Sequence, residues 1–222
     1  MNDRSPEFDL LLVDDHPIVS AALEPLIKAI EGASVIGIAR DGEEGLSLYQ
    51  KYKPELVIAD IDMPKMNGVT LAKKIKKINP DSKIIFITSH SDLNTLVEAM
   101  DIEVNGFIFK ENAMADIQSS IIEVLKGNKY HCKEFEKFIN LQEEKIKEIR
   151  MNRDLVKSLT KTEMQILQLI AIGKTSPQIS ESLFKSIKTI ENHRYNICKK
   201  LQVTGNNQLL AFAFKNRQQL ER

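Results

Sequence analysis

Five polar side chains end four short apolar runs of the sequence. Asp14 and Asp15 follow FDLLLV, Asp60 closes ELVIAD, Thr88 closes KIIFIT and Lys110 closes GFIFK. If these runs are parallel strands, their carboxyl ends meet at one edge of a sheet, and the five side chains share a crevice. Converging carboxylates repel each other unless a divalent cation joins them, and their oxygens suit Mg²⁺. With a hydroxyl and an ammonium opposite the metal, such a crevice can hold a phosphoryl group while one carboxylate attacks it.

Each of these residues also has an ordinary structural explanation. An aspartate after a strand is often a turn residue, a threonine is a good strand former, and a lysine is usually exposed at the surface. The combination is harder to explain without a shared function, because four strand ends carry Asp-Asp, Asp, Thr and Lys in that order. The sequence therefore predicts a phosphoryl-transfer site with Mg²⁺ as its cofactor.

The elements that position this site are five predicted strands joined by longer segments. Four of the runs are continuously apolar, which is typical of parallel strands covered on both faces, and the connections are long enough for crossover helices. This pattern predicts a doubly wound, flavodoxin-like α/β domain over residues 1–128. The predicted strands are residues 8–13, 35–39, 55–60, 83–88 and 106–110.

From about residue 113 the pattern becomes helical, and no strand is predicted after Gly127. Residues 129–156 are highly charged and are interpreted as a helical linker. A dimerising coil is the alternative, but Gln142 and Lys145 fall where its apolar seam should continue. Both interpretations make this stretch the connection between two domains.

Residues 157–222 predict a small all-α domain of short helices. Thr160 with Glu163 has the spacing of a capping box, as does Thr175 with Gln178. Two further helix signals, a C-cap glycine and an N-cap serine, are Gly173 and Ser186. Three N-caps in quick succession, Thr160, Thr175 and Ser186, favour a helix-turn-helix.

The charge of the chain is divided between these parts. Residues 1–128 contain 13 basic and 21 acidic residues, a net charge of −8, whereas residues 129–222 contain 18 and 10, a net charge of +8. A basic domain of this kind favours polyanions such as nucleic acid.

The two cysteines lie far apart and lack zinc-like spacing, so both are predicted to be structural. With neither a long apolar run nor a cleavable leader in the sequence, we expect a cytoplasmic protein that does not bind membranes.

Four motifs resemble the signature of bacterial response-regulator receivers over residues 7–127: VDDHP (13–17), DIDMP (60–64), ITS (87–89) and GFIFK (106–110). The resemblance implies that Asp60 is the phosphoacceptor. It implies that Mg²⁺ is bound by Asp15, Asp60 and the backbone carbonyl of Asp62, with Asp14 acting mostly through water. Thr88 and Lys110 would hold the phosphoryl group, and Phe107 would be the aromatic switch. Asp62 and His90 are less usual for the family. Both could touch the water that attacks phosphoaspartate during its hydrolysis.

Residues 159–203 resemble the LuxR-type helix-turn-helix, and with the receiver they resemble the NarL/FixJ class of regulators. A helix over residues 187–201 would then lie in the major groove, with a buried stripe formed by Ile190, Ile197 and Leu201. Lys185 stands where the family commonly has an apolar residue. The predicted DNA contacts, led by Arg194 and Lys188, are Lys188, Thr189, Glu191, Asn192, Arg194, Tyr195, Lys199 and Lys200.

The predicted function is transcriptional regulation. Asp60 would accept a phosphoryl group from a sensor histidine kinase, and the protein would bind double-stranded promoter DNA as a homodimer when phosphorylated or DNA-bound, with RNA polymerase as a further candidate partner. No enzymatic activity is expected beyond Mg²⁺-dependent self-phosphorylation and phosphoaspartate hydrolysis. One alternative is a phosphorylation-independent regulator gated by protein contacts. Another is a haloacid-dehalogenase-like, Mg²⁺-dependent phosphatase with an aspartate nucleophile, which Lys110, the Asp14-Asp15 pair and the DNA-binding tail disfavour. Whether the receiver masks the recognition helix or only pairs two copies stays open.

Overall fold

A computed structural model describes residues 8–89 and 92–220, and the chain divides into two compact units, up to Glu143 and from Glu144 onward. Each unit has its own hydrophobic core. None of the helices in the described part of the chain is long and apolar enough to cross a membrane.

The first unit is built on a parallel sheet with the strand order β2-β1-β3-β4-β5-β6. Runs 8–13 and 83–88 are strands with the predicted bounds, while the other three shift by one or two residues at their ends. The α/β prediction is confirmed. The strands are β1 Phe8–Val13, β2 Ala33–Ala39, β3 Leu56–Asp60, β4 Lys83–Thr88, β5 Gly106–Phe109 and β6 Tyr130–His131.

The prediction of five strands, with none after Gly127, is wrong because of β6. This strand has only two residues and carries no apolar run, so periodicity could not reveal it. Backbone pairing forms it instead. The Tyr130 N–H donates to the Asn105 carbonyl at 2.9 Å, and the Cys132 N–H donates to the Phe107 carbonyl at 3.1 Å.

Helices cover both faces of this sheet, as a doubly wound fold requires. Leu23 and Ile117, from α1 and α5, pack on one face, and Tyr49 and Val69, from α2 and α3, pack on the other. A short 3₁₀ turn, Lys110–Asn112, joins β5 to α5. The helices of this unit are α1 Pro17–Lys28, α2 Gly42–Tyr52, α3 Gly68–Ile78, α4 Leu93–Met100, α5 Ala113–Leu125 and α6 Lys133–Leu141.

The strand register brings the ends of the central strands level with one another. Asp60 pairs with Ile87, and Thr88 pairs with Phe109. Gly68 begins α3 directly beside the end of β3, and a Cβ atom there would lie 2.0 Å from the Asp60 carbonyl oxygen. A glycine is therefore required where the chain returns past the end of β3.

The second unit is a helical domain, as predicted. Thr160 and Glu163 form the predicted capping box, Ser186 accepts a hydrogen bond from the Thr189 N–H at 3.1 Å, and Gly173 has a positive φ of 82° after α8. The predicted linker contributes β6 and α6 to the first unit before α7 begins. The helices are α7 Glu143–Lys157, which starts at the boundary, α8 Lys161–Ala171, α9 Ser176–Leu183, α10 Ile187–Leu201, α11 Gly205–Lys215 and α12 Arg217–Leu220.

Candidate functional site

Three of the predicted site residues meet at the carboxyl edge of the sheet. The Lys110 Nζ lies 2.6 Å from Asp60 Oδ2 and 3.2 Å from Asp14 Oδ2. Both carboxylates are 2% exposed, and this one ammonium contacts both of them. β1, β3 and the turn after β5 supply the three groups, which the sequence places 46 to 96 residues apart. The arrangement agrees with the predicted crevice.

The same crevice fits a divalent cation. Ligand atoms of Asp14, Asp15, His16 and Asp60 all lie within 4.8 Å of one another. Asp14 Oδ2 and Asp15 Oδ1 are buried and accept no hydrogen bond, although Lys110 and His16 approach them. Carboxylate oxygens left without donors are suitable ligands for a hard cation such as Mg²⁺. The donor set therefore agrees with the predicted metal.

His16 belongs to this cluster although the sequence analysis did not select it. Its Nδ1 lies 2.7 Å from Asp15 Oδ1 and 3.3 Å from the Lys110 Nζ. Its position immediately after the Asp14-Asp15 pair was the only sequence signal. The imidazole adds a third type of polar group to the edge of the acidic crevice.

Burial controls the ionisation of the central carboxylate. Desolvation raises the pKa of Asp60 from 3.8 to about 6, and the bond from Lys110 offsets only part of this shift. Burial also acts to lower the pKa of Lys110, but its bonds to Asp60 and Asp14 outweigh that effect and the pKa is raised. Lys110 is therefore held as a cation against a carboxylate that folding makes costly to ionise.

The remaining predicted residues surround this core. Thr88 is buried at the end of β4, and its hydroxyl donates to the Ser89 carbonyl at 2.9 Å. The Asp62 N–H donates to Asp60 Oδ1 at 3.2 Å. His90 lies outside the described residues. Thr88 thus lies on the strand next to that of Asp60, and its hydroxyl hydrogen-bonds to the Ser89 carbonyl rather than to Asp60.

Phe107 lies inside the first unit and is 3% exposed. Its ring centroid is 5.6 Å from that of Phe86 on β4 and 4.7 Å from that of Phe135 on α6, with the last pair stacked at 12°. The predicted switch residue is therefore packed between the sheet and a helix that the sequence analysis assigned to the linker.

In the second unit, α10 carries an exposed polar face. The apolar stripe is confirmed, since Ile190 and Ile197 are 0% exposed and Leu201 is 2% exposed. The opposite face is available to a ligand. Five predicted DNA contacts are exposed there: Lys188, Glu191, Asn192, Tyr195 and Lys199.

Three predicted DNA contacts instead have partners within the unit. Arg194 is 8% exposed, and its Nε donates to the Asn206 side chain at 3.1 Å. Its position follows from helical periodicity, because residues 190, 194, 197 and 201 share one face. The prediction of Arg194 as a leading DNA contact therefore disagrees with the structure. Lys200 bonds to the buried Glu163 at 2.7 Å, and the Thr189 hydroxyl bonds to Ser186 at 2.8 Å.

Comparison with known proteins finds related sequences over both parts of the chain. Residues 10–122 match the response regulator receiver domain, and residues 157–213 match the bacterial regulatory proteins of the luxR family. The transcriptional regulatory protein LiaR of Bacillus subtilis is 34% identical, over 93% of this chain and 97% of LiaR. DegU of Brevibacillus brevis is 27% identical, over 97% of this chain and 98% of DegU.

A structural relative has been solved with DNA. RcsB of Salmonella enterica serovar Typhimurium, bound to the promoter P1flhDC in the presence of the phosphomimetic BeF3−, has a TM-score of 0.59 and 26% identity. The match covers 92% of this chain and 97% of the RcsB chain. The likeness therefore includes both units.

Proposed function

Because the chain belongs to the bacterial response regulators, with a receiver domain followed by a DNA-binding domain of the luxR family, we propose that Asp60 is its phosphoacceptor. The donor would be a sensor histidine kinase, and the target of the second unit would be promoter DNA in the cytoplasm. The observation that carries the proposal is the buried contact of Lys110 with Asp60 and Asp14. This contact supports the proposal because a cation held beside Asp60 and Asp14 could oppose the charge of an incoming phosphoryl group.

The chemistry is an in-line transfer. A carboxylate oxygen of Asp60 forms a bond to phosphorus while the bond from phosphorus to the donor's imidazole nitrogen breaks, and the electron pair of that bond returns to the nitrogen. Lys110, held in its charged form, opposes the charge of the incoming phosphoryl oxygens. Asp14, Asp15, Asp60 and the Asp62 carbonyl would hold Mg²⁺, which when bound neutralises charge on those oxygens.

The exposed face of α10 would lie in the major groove. Asn192 and Glu191 have side chains able to hydrogen-bond base edges, while Lys188 and Lys199 can contact phosphates. RcsB, which this chain resembles over both units, has been solved on promoter DNA and as dimers bound to DNA. We therefore infer that two copies of this protein bind a two-fold site, since symmetric dimers place paired recognition helices in successive grooves.

Phosphorylation can be tested with a small phosphodonor and Mg²⁺. Intact-protein mass spectra of the wild-type chain should show one added phosphoryl group. The Asp60→Asn variant should show none, because an amide is a far weaker nucleophile. Lys110→Ala should fold and bind Mg²⁺ but react much more slowly. Phosphate incorporation into Asp60→Asn would refute the assignment of the acceptor.

A further inference from the structure

A cavity of about 380 Å³ lies beside α10 in the second unit. Its lining comes from α10 and from residues 203–206, which lead into α11. Pockets that hold small molecules in proteins have volumes of roughly 300–1,000 Å³. The cavity is therefore large enough for a small ligand.

Arg194 brings a buried positive charge to this cavity. It is 8% exposed, and its Nε donates to the side chain of Asn206, another lining residue, at 3.1 Å. The terminal nitrogens of its guanidinium make no hydrogen bond or ion pair with the described residues. A buried cation without a carboxylate partner is costly, and an anion in the cavity would offset that cost.

Two further features make the cavity electropositive. Lys199 lines it and is exposed on α10, so its ammonium is available to a ligand. Thr204 also lines it and is the N-cap of the 11-residue α11, but makes no side-chain capping bond, so the positive end of that helix adjoins the cavity. Against these charges stands one lining carboxylate, the exposed Glu191.

Cys198 places a thiol in the same lining. It is partly exposed, and its Sγ lies 3.9 Å from the Gly205 carbonyl oxygen. Burial raises the pKa of this thiol, while the positive charge of Arg194 acts to lower it. The charge of the guanidinium therefore reaches the thiol, which makes Cys198 a built-in reporter of what enters the cavity.

We propose that this cavity binds a small organic anion whose carboxylate or phosphate oxygens pair with Arg194 and Lys199. The planar guanidinium matches such oxygens with two parallel hydrogen bonds, and the ammonium adds a second positive charge. A free small anion fits better than a DNA phosphate, because duplex phosphates lie on a convex surface and Arg194 is 8% exposed. The site lies in the second unit and does not depend on the proposed role of Asp60.

Alkylation of Cys198 in the full chain tests the proposal. Iodoacetate is an anion and iodoacetamide is neutral, but both alkylate the same thiolate by displacing iodide. The ratio of their rates therefore cancels any change in the pKa of the thiol. Mass spectra of peptides separate Cys198 from Cys132, which is 1% exposed. The iodoacetate-to-iodoacetamide ratio should be about tenfold higher in the wild type than in Arg194→Gln, the effect of one charge-assisted hydrogen bond.

Two variants keep the test independent of folding defects in Arg194→Gln. Lys199→Gln changes an exposed lining residue and should also lower the ratio, whereas Lys185→Gln, an equal change of charge outside the lining, should not. Inorganic phosphate should slow alkylation by both reagents relative to chloride at equal ionic strength. Equal ratios in the wild type, Arg194→Gln and Lys199→Gln, or no effect of phosphate, would overturn the proposal. Protection by a DNA duplex but not by phosphate would assign the cavity to the DNA backbone and overturn it as well.

Discussion

At the scale of single residues, Asp60 is the proposed phosphoacceptor, and its burial carries a cost to stability. Its pKa is about 6 in the folded chain against 3.8 for an ordinary aspartate, mainly because of burial. Folding therefore favours the protonated form. The resulting stability is fully present below about pH 3.8 and is lost as the pH rises through about 6.

Asp60→Asn should for this reason stabilise the protein at pH 7 in the absence of divalent cations. The amide cannot ionise, and the expected gain in free energy of unfolding is roughly 1–3 kcal/mol. Urea unfolding followed by circular dichroism, with a chelator present, measures it at pH 7 and near pH 4. The gain should shrink toward the lower pH. Equal stability of both proteins at pH 7 would show that Asp60 ionises without penalty.

Lys188→Ala should weaken DNA binding without destabilising the fold. Lys188 is exposed at the start of α10, and removing one phosphate contact should reduce the slope of log affinity against log salt by about one unit. Fluorescence anisotropy with labelled duplex at several salt concentrations measures the slope. An unchanged affinity and slope would show that this face of α10 does not meet the phosphates.

Arg194→Ala, in contrast to Lys188→Ala, should destabilise the fold and leave the salt dependence of DNA binding unchanged. Its buried guanidinium joins α10 to Asn206 of α11, so its loss should cost on the order of 1–3 kcal/mol of stability. The salt slope of DNA binding should stay as in the wild type, because no phosphate contact is removed. A lower salt slope with an unchanged thermal midpoint would instead return Arg194 to the DNA interface.

Most of the acidic site was predictable from the sequence, because strand ends are easy to find: Asp60 ends β3, and Asp14 and Lys110 directly follow β1 and β5. Arg194 was assigned to the wrong face, although its spacing from Ile190 and Ile197 already indicates burial. His16 was missed because its contact with Asp15 and Lys110 depends on the local path of the chain after β1.

At the scale of elements, the five strands that are apolar runs were predictable, whereas β6, which has no apolar run, was not. β1 and β4 have the expected bounds because continuous apolar runs require burial on both faces. β6 depends on two backbone hydrogen bonds and on the burial of Phe135 in α6. The many charged residues of α6 made it look like part of a solvated linker. Sequence periodicity does not reveal that Phe135 packs against Phe107 and Phe109 of β5.

Gly68→Ala tests the joint between β3 and α3. A Cβ atom at this position would lie 2.0 Å from the Asp60 carbonyl oxygen, so the backbone must move. We expect a destabilisation of roughly 1–3 kcal/mol together with slower phosphorylation of the displaced Asp60. Gly37→Ala is the matched control, since its nearest neighbour is a Leu48 side-chain carbon at 3.1 Å, which can move. Equal stability of the two variants, measured by urea unfolding, would contradict this explanation of Gly68.

At the scale of the whole molecule, two units of opposite charge share one chain. The acidic part contains the proposed phosphoryl site around Asp60, and the basic part contains the exposed face of α10. A response regulator of this organisation is useful only if the chemistry at Asp60 changes what the second unit does. Linkage requires that phosphorylation shift an equilibrium that also governs DNA binding.

The most direct test of this coupling is the affinity of the full chain for a promoter duplex, identified by mapping its bound sites, with and without a small phosphodonor and Mg²⁺. The wild-type affinity should rise when mass spectra show phosphorylation, and Asp60→Asn should keep its lower affinity under both conditions. An unchanged wild-type affinity, measured while mass spectra show phosphorylated Asp60, would contradict this coupling. The protein would then be a regulator that binds DNA independently of phosphorylation.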